Sequence, residues 1–302
     1  MEFTALGTAE LVRRALKVGT VIPGFNIPYL PMMEPVVRAL SDTNSFGLIM
    51  VARLEWVKFE SGSLEVIRDE YERVKDPNHT RLHLDHVPVV DEDDLEVDYE
   101  EIIRRAVTAG YDSVMIDGSR LPLEGNIDCT KKIVDIAHAA GIGVEAELGA
   151  VMGHEAGPLP PYDELFESGR GFTDPAEAKR FVEETNTDWL SVAVGSIHGA
   201  VSAARKDEKK VEARLDIDRL DAIRQAVGIP LVLHGGTGIR KEYIMRAIEH
   251  GIGKINVATA IRQPYEKAVK QSVAAGQEAV YQAMLAVIHE DLEIGNSAAR
   301  LA

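Results

Sequence analysis

The chain has 302 residues, 45% of them hydrophobic and 27% charged, with a formal net charge of −16. That length suits one α/β barrel of about 250 residues or two ordinary domains, and the acidic balance argues against a nucleic-acid partner, whose phosphates need a basic surface. The single cysteine, Cys129, excludes an intramolecular disulfide and points to a reducing, cytoplasmic compartment.

No apolar run approaches the ~18 residues of a membrane helix, so no membrane partner is expected. The N-terminus, with Glu2 and Glu10, lacks the basic-then-apolar pattern of a signal segment. Strand-like runs fall at residues 21–27, 47–52, 80–86, 113–118, 143–149, 189–195, 230–236 and 253–259. Many are continuously apolar, as parallel strands covered on both faces require. Amphipathic segments lie between them. Residues 98–109 and 126–140 are followed by Gly110 and Gly141 as helix stops, and Asp174-Pro175 and Asp216 read as helix starts with a capping carboxylate. Strand and helix alternating eight times predicts a (β/α)8 TIM barrel, with residues 1–302 forming one domain. An additional C-terminal helix is expected over residues 277–294.

Two connections are long for a compact domain. One spans residues 150–173, the other 196–215, and both leave C-terminal strand ends, where barrel enzymes place their active sites. They read as lids over a site.

Polar residues gather where the strands end. Asp85 and His86 close the third, Asp117 the fourth and Glu147 the fifth; His198 follows the sixth, His234 closes the seventh, and Asn256 and Thr259 the eighth. One such histidine is as often structural as functional, but three at one barrel mouth suit a catalytic zinc, which takes three protein ligands and keeps one position open. His79, His138, His250 and His289 fall in loops or helices and read as structural. Strict alternation sends Asp85 and His86 to opposite faces, so both reach one pocket only if the strand ends or bulges there. Gly235-Gly236-Thr237-Gly238 and the backbone after Asn256 suit an anion cradle, at a frequent phosphate position of TIM barrels.

Taken together, His83-Leu-Asp-His86, Ser113-Val-Met-Ile-Asp-Gly-Ser119, Val144-Glu-Ala-Glu-Leu-Gly149, Val194-Gly-Ser-Ile-His-Gly199, Leu231-Val-Leu-His-Gly-Gly-Thr-Gly238 and Lys254-Ile-Asn-Val-Ala-Thr259 resemble the class II fructose-bisphosphate and tagatose-bisphosphate aldolases. The likeness runs from Pro23-Gly-Phe-Asn26 to about Arg262. It implies zinc-dependent, reversible cleavage of a phosphorylated ketose to dihydroxyacetone phosphate and an aldehyde. It implies that His86, His198 and His234 bind Zn2+, with Glu147 and Asp117 at an alternative metal position. Asp85 is then the acid–base residue on the aldehyde side, and Glu155, on the first long loop, the proton-shuttling glutamate. Asn26, Gly199, Gly235, Thr237, Asn256 and Thr259 correspond to substrate-binding positions, with Gly236 in the same cradle. Arg262 stands where some members reach the second phosphate across a dimer. A monovalent cation (Na+ or K+) near the phosphate and a homodimeric or homotetrameric assembly are also implied.

This sequence departs from the family pattern in places. Val201 and Ser202 replace a Tyr-Lys pair, leaving Arg205 or Lys206 as substitutes for the lysine. Met50 and Ala52 replace a Gln and a Ser on the second strand. After His86, Val87-Pro-Val-Val and an acidic stretch at 91–98 replace a short glycine turn, and that stretch reads as a solvated loop. Two alternatives stand beside the aldolase: a non-catalytic phosphosugar-binding relative, and a metal-dependent barrel hydrolase, which ordinarily has His-x-His near the first strand where this chain has Phe25-Asn26-Ile27.

Overall fold

A computed structural model describes residues 3–150, 161–196 and 213–302. Its parallel strands are β1 (Ile22–Asn26), β2 (Gly47–Ala52), β3 (Thr80–Pro88), β4 (Ser113–Asp117), β5 (Gly143–Leu148), β6 (Trp189–Val192), β7 (Leu231–Leu233) and β8 (Ile252–Val257). They follow one another around a closed barrel in which β1 pairs with β8. This is the TIM barrel expected from the alternation.

Helices clothe it: α1 (Thr8–Lys17), α2 (Met33–Asp42), α3 (Arg53–Lys58), α4 (Leu64–Val74), α5 (Tyr99–Ala109), α6 (Leu123–Ala139), α7 (Tyr162–Ser168), α8 (Pro175–Thr185), α9 (Ile217–Val227), α10 (Lys241–Glu249) and α11 (Thr259–Ala268). The expected caps form: Asp174 accepts from Ala176 N at 2.8 Å and Asp216 from Arg219 N at 3.0 Å. Asp98 caps α5 in the same way, accepting from Glu101 N at 3.1 Å. Such caps contribute about 1 kcal/mol each. Gly110, at φ 87°, ends α5 in the left-handed conformation that glycine adopts without steric cost.

The strands' two faces build different environments. Val144, Ala146 and Leu148 on β5 join the large core between barrel and helices. Inside the barrel, Ile22, Leu48, Met50, Trp189 and Val232 form an apolar plug with Leu11 and Val12 of α1. Met50 Sδ occupies the space a side chain at position 24 would need, so Gly24 on β1 makes room for the plug. Further toward the C-terminal strand ends the inward residues become polar: His83, Asp85, Glu145, Glu147, Lys254 and Asn256 are all buried. Period-two geometry therefore sets a polar layer directly on an apolar floor.

The C-terminal helix α12 (Val273–Ala286) begins earlier than the apolar pattern suggests, because Ser272 caps it by accepting from Ala275 N at 3.1 Å. It packs on α11 and α2 and continues into a π turn, Val287–Asp291. Among the described residues no helix is long and apolar enough to cross a membrane.

Candidate active site at the barrel mouth

Asp85 and His86 are neighbours in sequence, yet both face the mouth. The β3–β4 register shifts between Leu84 and Val87, and His86 takes φ 31°, a value rare for a residue with a side chain. The bulge removes the alternation that would have turned one of the pair into the outer core. Strain of this kind persists where surrounding contacts over-determine it. Here the imidazole is held by Asp117, with Nδ1 3.2 Å from Oδ2, and lies 3.9 Å from Glu147 Oε2.

His234, just past β7, stacks edge-on to His86 with ring centroids 4.5 Å apart. Its Nε2 lies 2.8 Å from Glu145 Oε1, and its Nδ1 lies 3.2 Å from Glu147 Oε2. Potential ligand atoms of Asp85, His86 and His234 fall within 4.8 Å of one another, as do those of His86, Asp117 and Glu147. Burial opposes charge on His86, but Asp85, Asp117 and Glu147 outweigh it and raise the imidazole to about 10. Burial likewise pushes Asp117 up, yet His86 and Ser119 bring it down to about 2. For Glu147 burial and Asp117 win, and its carboxyl is raised. Carboxylates crowding two imidazoles create a demand for positive charge, which a divalent metal meets as well as a proton does. The residues present therefore fit such an ion. His198 and Glu155 lie outside the described residues, as do Gly199, Val201, Ser202, Arg205 and Lys206.

Beneath these groups lies an ionic layer to which the sequence reading attached no role. Glu145 and Lys254 meet with Oε2 and Nζ 2.8 Å apart, both fully buried. Trp189 Nε1 also donates to Glu145, at 2.6 Å, and His83 Nε2 lies 3.4 Å from it. Burial pushes the Glu145 carboxyl up, but Lys254, His234 and His83 hold it well below the usual carboxylate range. Burial and His86 oppose charge on His234, but Glu145 at Nε2 and Glu147 at Nδ1 outweigh them and raise the imidazole; the ionised Glu145 holds the Nε2 side and turns Nδ1 toward the mouth. Lys254 Nζ donates to Asn256 Oδ1 at 2.6 Å, and Asn256 Nδ2 donates to Asp85 at 3.1 Å. Asn26 Nδ2 donates to the other Asp85 oxygen at 2.9 Å. Asp85 thus has both oxygens placed by amides. Burial raises its pKa, but His86, Lys254 and His234 win and keep it ionised. One signal for this layer was available: His83, Glu145 and Lys254 each stand two residues before a recognised site residue, on the same strand face.

Opposite β3 lies the glycine-rich turn. Gly235 and Gly238 take φ 68° and 90°. Gly236 N donates to Asn256 O at 3.1 Å, so this amide ties β7 to β8 instead of pointing at a ligand. Thr237 Oγ1 accepts from Ala260 N at 3.4 Å, at the first turn of α11 that Thr259 opens. Arg262 on α11 is 7% exposed and chelates Glu266 at 2.8 and 2.7 Å within its own helix.

At the β2–β3 rim, residues 91–98 form the largely exposed loop expected, with Asp91 and Val97 buried within it. Asp91 is 3% exposed. Its carboxylate accepts from Asp93 N at 3.0 Å and Leu95 N at 2.9 Å, and bonds Arg53 Nη1 at 3.0 Å. Lys58 reaches Glu92 and Asp93, and Arg120 reaches Asp94 and the Asp91 carbonyl. Cations from other segments thus pair with the stretch, and Arg53 with the Asp93 and Leu95 amides holds Asp91 buried, which local composition does not reveal. Beside it Glu55, also buried, accepts from Ala52 N at 2.7 Å. Burial, reinforced by Asp85, pushes its carboxyl up to about 8, and the Asn26 amide faces it.

A closed parallel barrel with buried acid, imidazole and carboxylate groups at the C-terminal strand ends is an enzyme architecture. Residues 7–300 match the family described as fructose-bisphosphate aldolase class-II, and the chain belongs to that family. It is an aldolase, a carbon–carbon lyase. It is similar to the YdjI aldolase of Escherichia coli K12, at 28% identity over 96% of this chain and 98% of that one, with a TM-score of 0.74. The fold is also that of fructose-bisphosphate aldolase from Campylobacter jejuni, at 18% identity over 95% of this chain and 94% of that one, with a TM-score of 0.73.

Proposed function

We propose that this aldolase is zinc-dependent and reversibly cleaves a phosphorylated ketose to dihydroxyacetone phosphate and an aldehyde. The observation that carries the reading is the meeting of Asp85, His86 and His234 at one point of the mouth. In this reading His86 and His234 hold zinc together with His198, and Glu147 and Asp117 provide an alternative position. A bound zinc ion supplies Lewis-acid stabilisation of the negative charge that cleavage leaves on the donor fragment.

The chain's own residues do the rest. Asp85, ionised and oriented by Asn26 and Asn256, takes the proton from the hydroxyl that becomes the aldehyde oxygen as the carbon–carbon bond breaks, and returns it in the condensation direction. Glu155 handles the proton on the donor fragment. The turn at Gly235 and Thr237, with Gly199 and Thr259, binds the donor phosphate. The test is a zinc assay by elemental analysis with a condensation assay using dihydroxyacetone phosphate and a panel of aldehydes. Zinc at one per chain, activity lost to a chelator and activity restored by zinc are expected. Full activity in metal-stripped protein overturns the reading.

A further inference from the structure

The aldehyde half of the substrate is specified by the same reading, on which this inference rests. If Asp85 exchanges a proton with the aldehyde-side oxygen, the aldehyde carbon lies against Asp85 and the remainder of that fragment extends over its neighbours. With the donor phosphate at the β7–β8 turns, those neighbours are Asn26 of β1, Glu55 of α3 and Asp91, the buried head of the acidic stretch after β3.

Two features of this rim bear on what it accepts. First, among the described residues, its basic side chains are already neutralised by carboxylates of the chain. Arg53 is bonded to Asp91 at 3.0 Å, and Lys58 to Glu92 and Asp93 at 2.8 and 2.9 Å. Arg120 is bonded to Asp94. The Arg53–Asp91 pair is mostly buried, at 19% and 4% side-chain exposure, so solvent screens it little. A phosphate dianion here would have to displace a bonded carboxylate or be desolvated without a cation. Second, on the β1–β2 side of Asp85 the polar groups are the Asn26 amide, bonded to Asp85 at 2.9 Å, and the carboxyl of Glu55, which suit hydroxyl groups.

We propose that the aldehyde substrate is an unphosphorylated hydroxyaldehyde, that Asp91 sets this preference by occupying Arg53, and that Glu55 receives a hydroxyl of the aldehyde. The ketose accordingly carries phosphate at the dihydroxyacetone end alone.

The experiment uses the full-length zinc-loaded protein and a fixed concentration of dihydroxyacetone phosphate. It compares kcat/KM for glyceraldehyde and glyceraldehyde 3-phosphate, with melting temperatures recorded for every variant. Wild type should favour glyceraldehyde by about tenfold or more. Asp91→Asn keeps the loop-folding acceptor oxygen but releases the Arg53 charge, and should move the ratio about tenfold toward the phosphorylated aldehyde, the effect of one charge-assisted hydrogen bond. Glu55→Gln keeps the bond from Ala52 N, and should raise KM for glyceraldehyde more than it lowers kcat. Arg53→Gln, independent of how Asp91→Asn folds, should leave the wild-type ratio in place. A wild-type preference for glyceraldehyde 3-phosphate, or an Arg53→Gln variant that selectively loses it, overturns the inference and leaves the aldolase reading standing. A folded Asp91→Asn variant with the wild-type ratio removes Asp91 from its role. If no aldehyde of any charge is condensed, the aldolase reading fails and this inference falls with it.

Discussion

Glu145 Oε2 and Lys254 Nζ meet 2.8 Å apart in the middle of the barrel, and neither side chain has exposed surface. Two ions taken out of water repay their desolvation only when the geometry is good and the remaining hydrogen bonds are made. Here they are made, by Trp189 and His234 to Glu145 and by Asn256 to Lys254. Lys254→Met leaves Glu145 charged and uncompensated. It should cost roughly 3–5 kcal/mol of stability, read from denaturant unfolding. The double variant Lys254→Met with Glu145→Gln should recover much of that loss. Additive losses in the double variant would show that the two side chains are not coupled.

The same carboxylate orients His234. Glu145→Gln offers a neutral amide in its place, which no longer favours the Nε2–H tautomer. Zinc affinity, measured by competition with a chromogenic chelator, should fall about 10–100-fold, the range expected when the partner behind a ligating histidine is lost. Unchanged affinity would place His234 outside the metal set or make its tautomer independent of Glu145.

Asp85→Asn preserves shape and the amide contacts but cannot accept the proton. Zinc content should stay at the wild-type level, with kcat reduced about 10²–10⁴-fold. Near-wild-type turnover in the zinc-loaded variant would remove Asp85 as the acid–base residue.

Glu55 makes stability depend on pH. Its carboxyl stands at about 8 in the folded chain against an ordinary 4.5. Below pH 4.5 both folded and unfolded forms hold the proton, so Glu55 has no effect there. Between 4.5 and 8 the unfolded chain releases the proton while the folded chain retains it, so rising pH favours unfolding. The loss is complete above about 8 and is on the order of a few kcal/mol. Glu55→Gln should remove this slope, making the variant progressively more stable than wild type from pH 5 to 8 in parallel thermal melts. Parallel curves would show that Glu55 ionises normally.

Much of this protein is legible along the chain. Continuous apolar runs and capped amphipathic segments are local consequences of backbone period and side-chain chemistry, and they define the strands, the helix starts at Asp98, Asp174 and Asp216, and the closed barrel. The polar strand ends at Asp85, Asp117, Glu147, His234 and Asn256 are equally local, because a barrel places every strand's C-terminal end at one mouth. Three things were decided only in three dimensions. The bulge that turns Asp85 and His86 to the same side depends on the register between β3 and β4, which neither strand encodes alone. Asp91 is buried at the head of an otherwise exposed acidic stretch because Arg53 arrives from α3, while Lys58 and Arg120 pair with the residues that follow it. The meeting of Glu145 with Lys254 and His234 spans most of the chain: each residue reads as an ordinary inward strand position, and closure of the barrel makes them one charged layer, where burial strengthens each pairing and fixes the charge of its members.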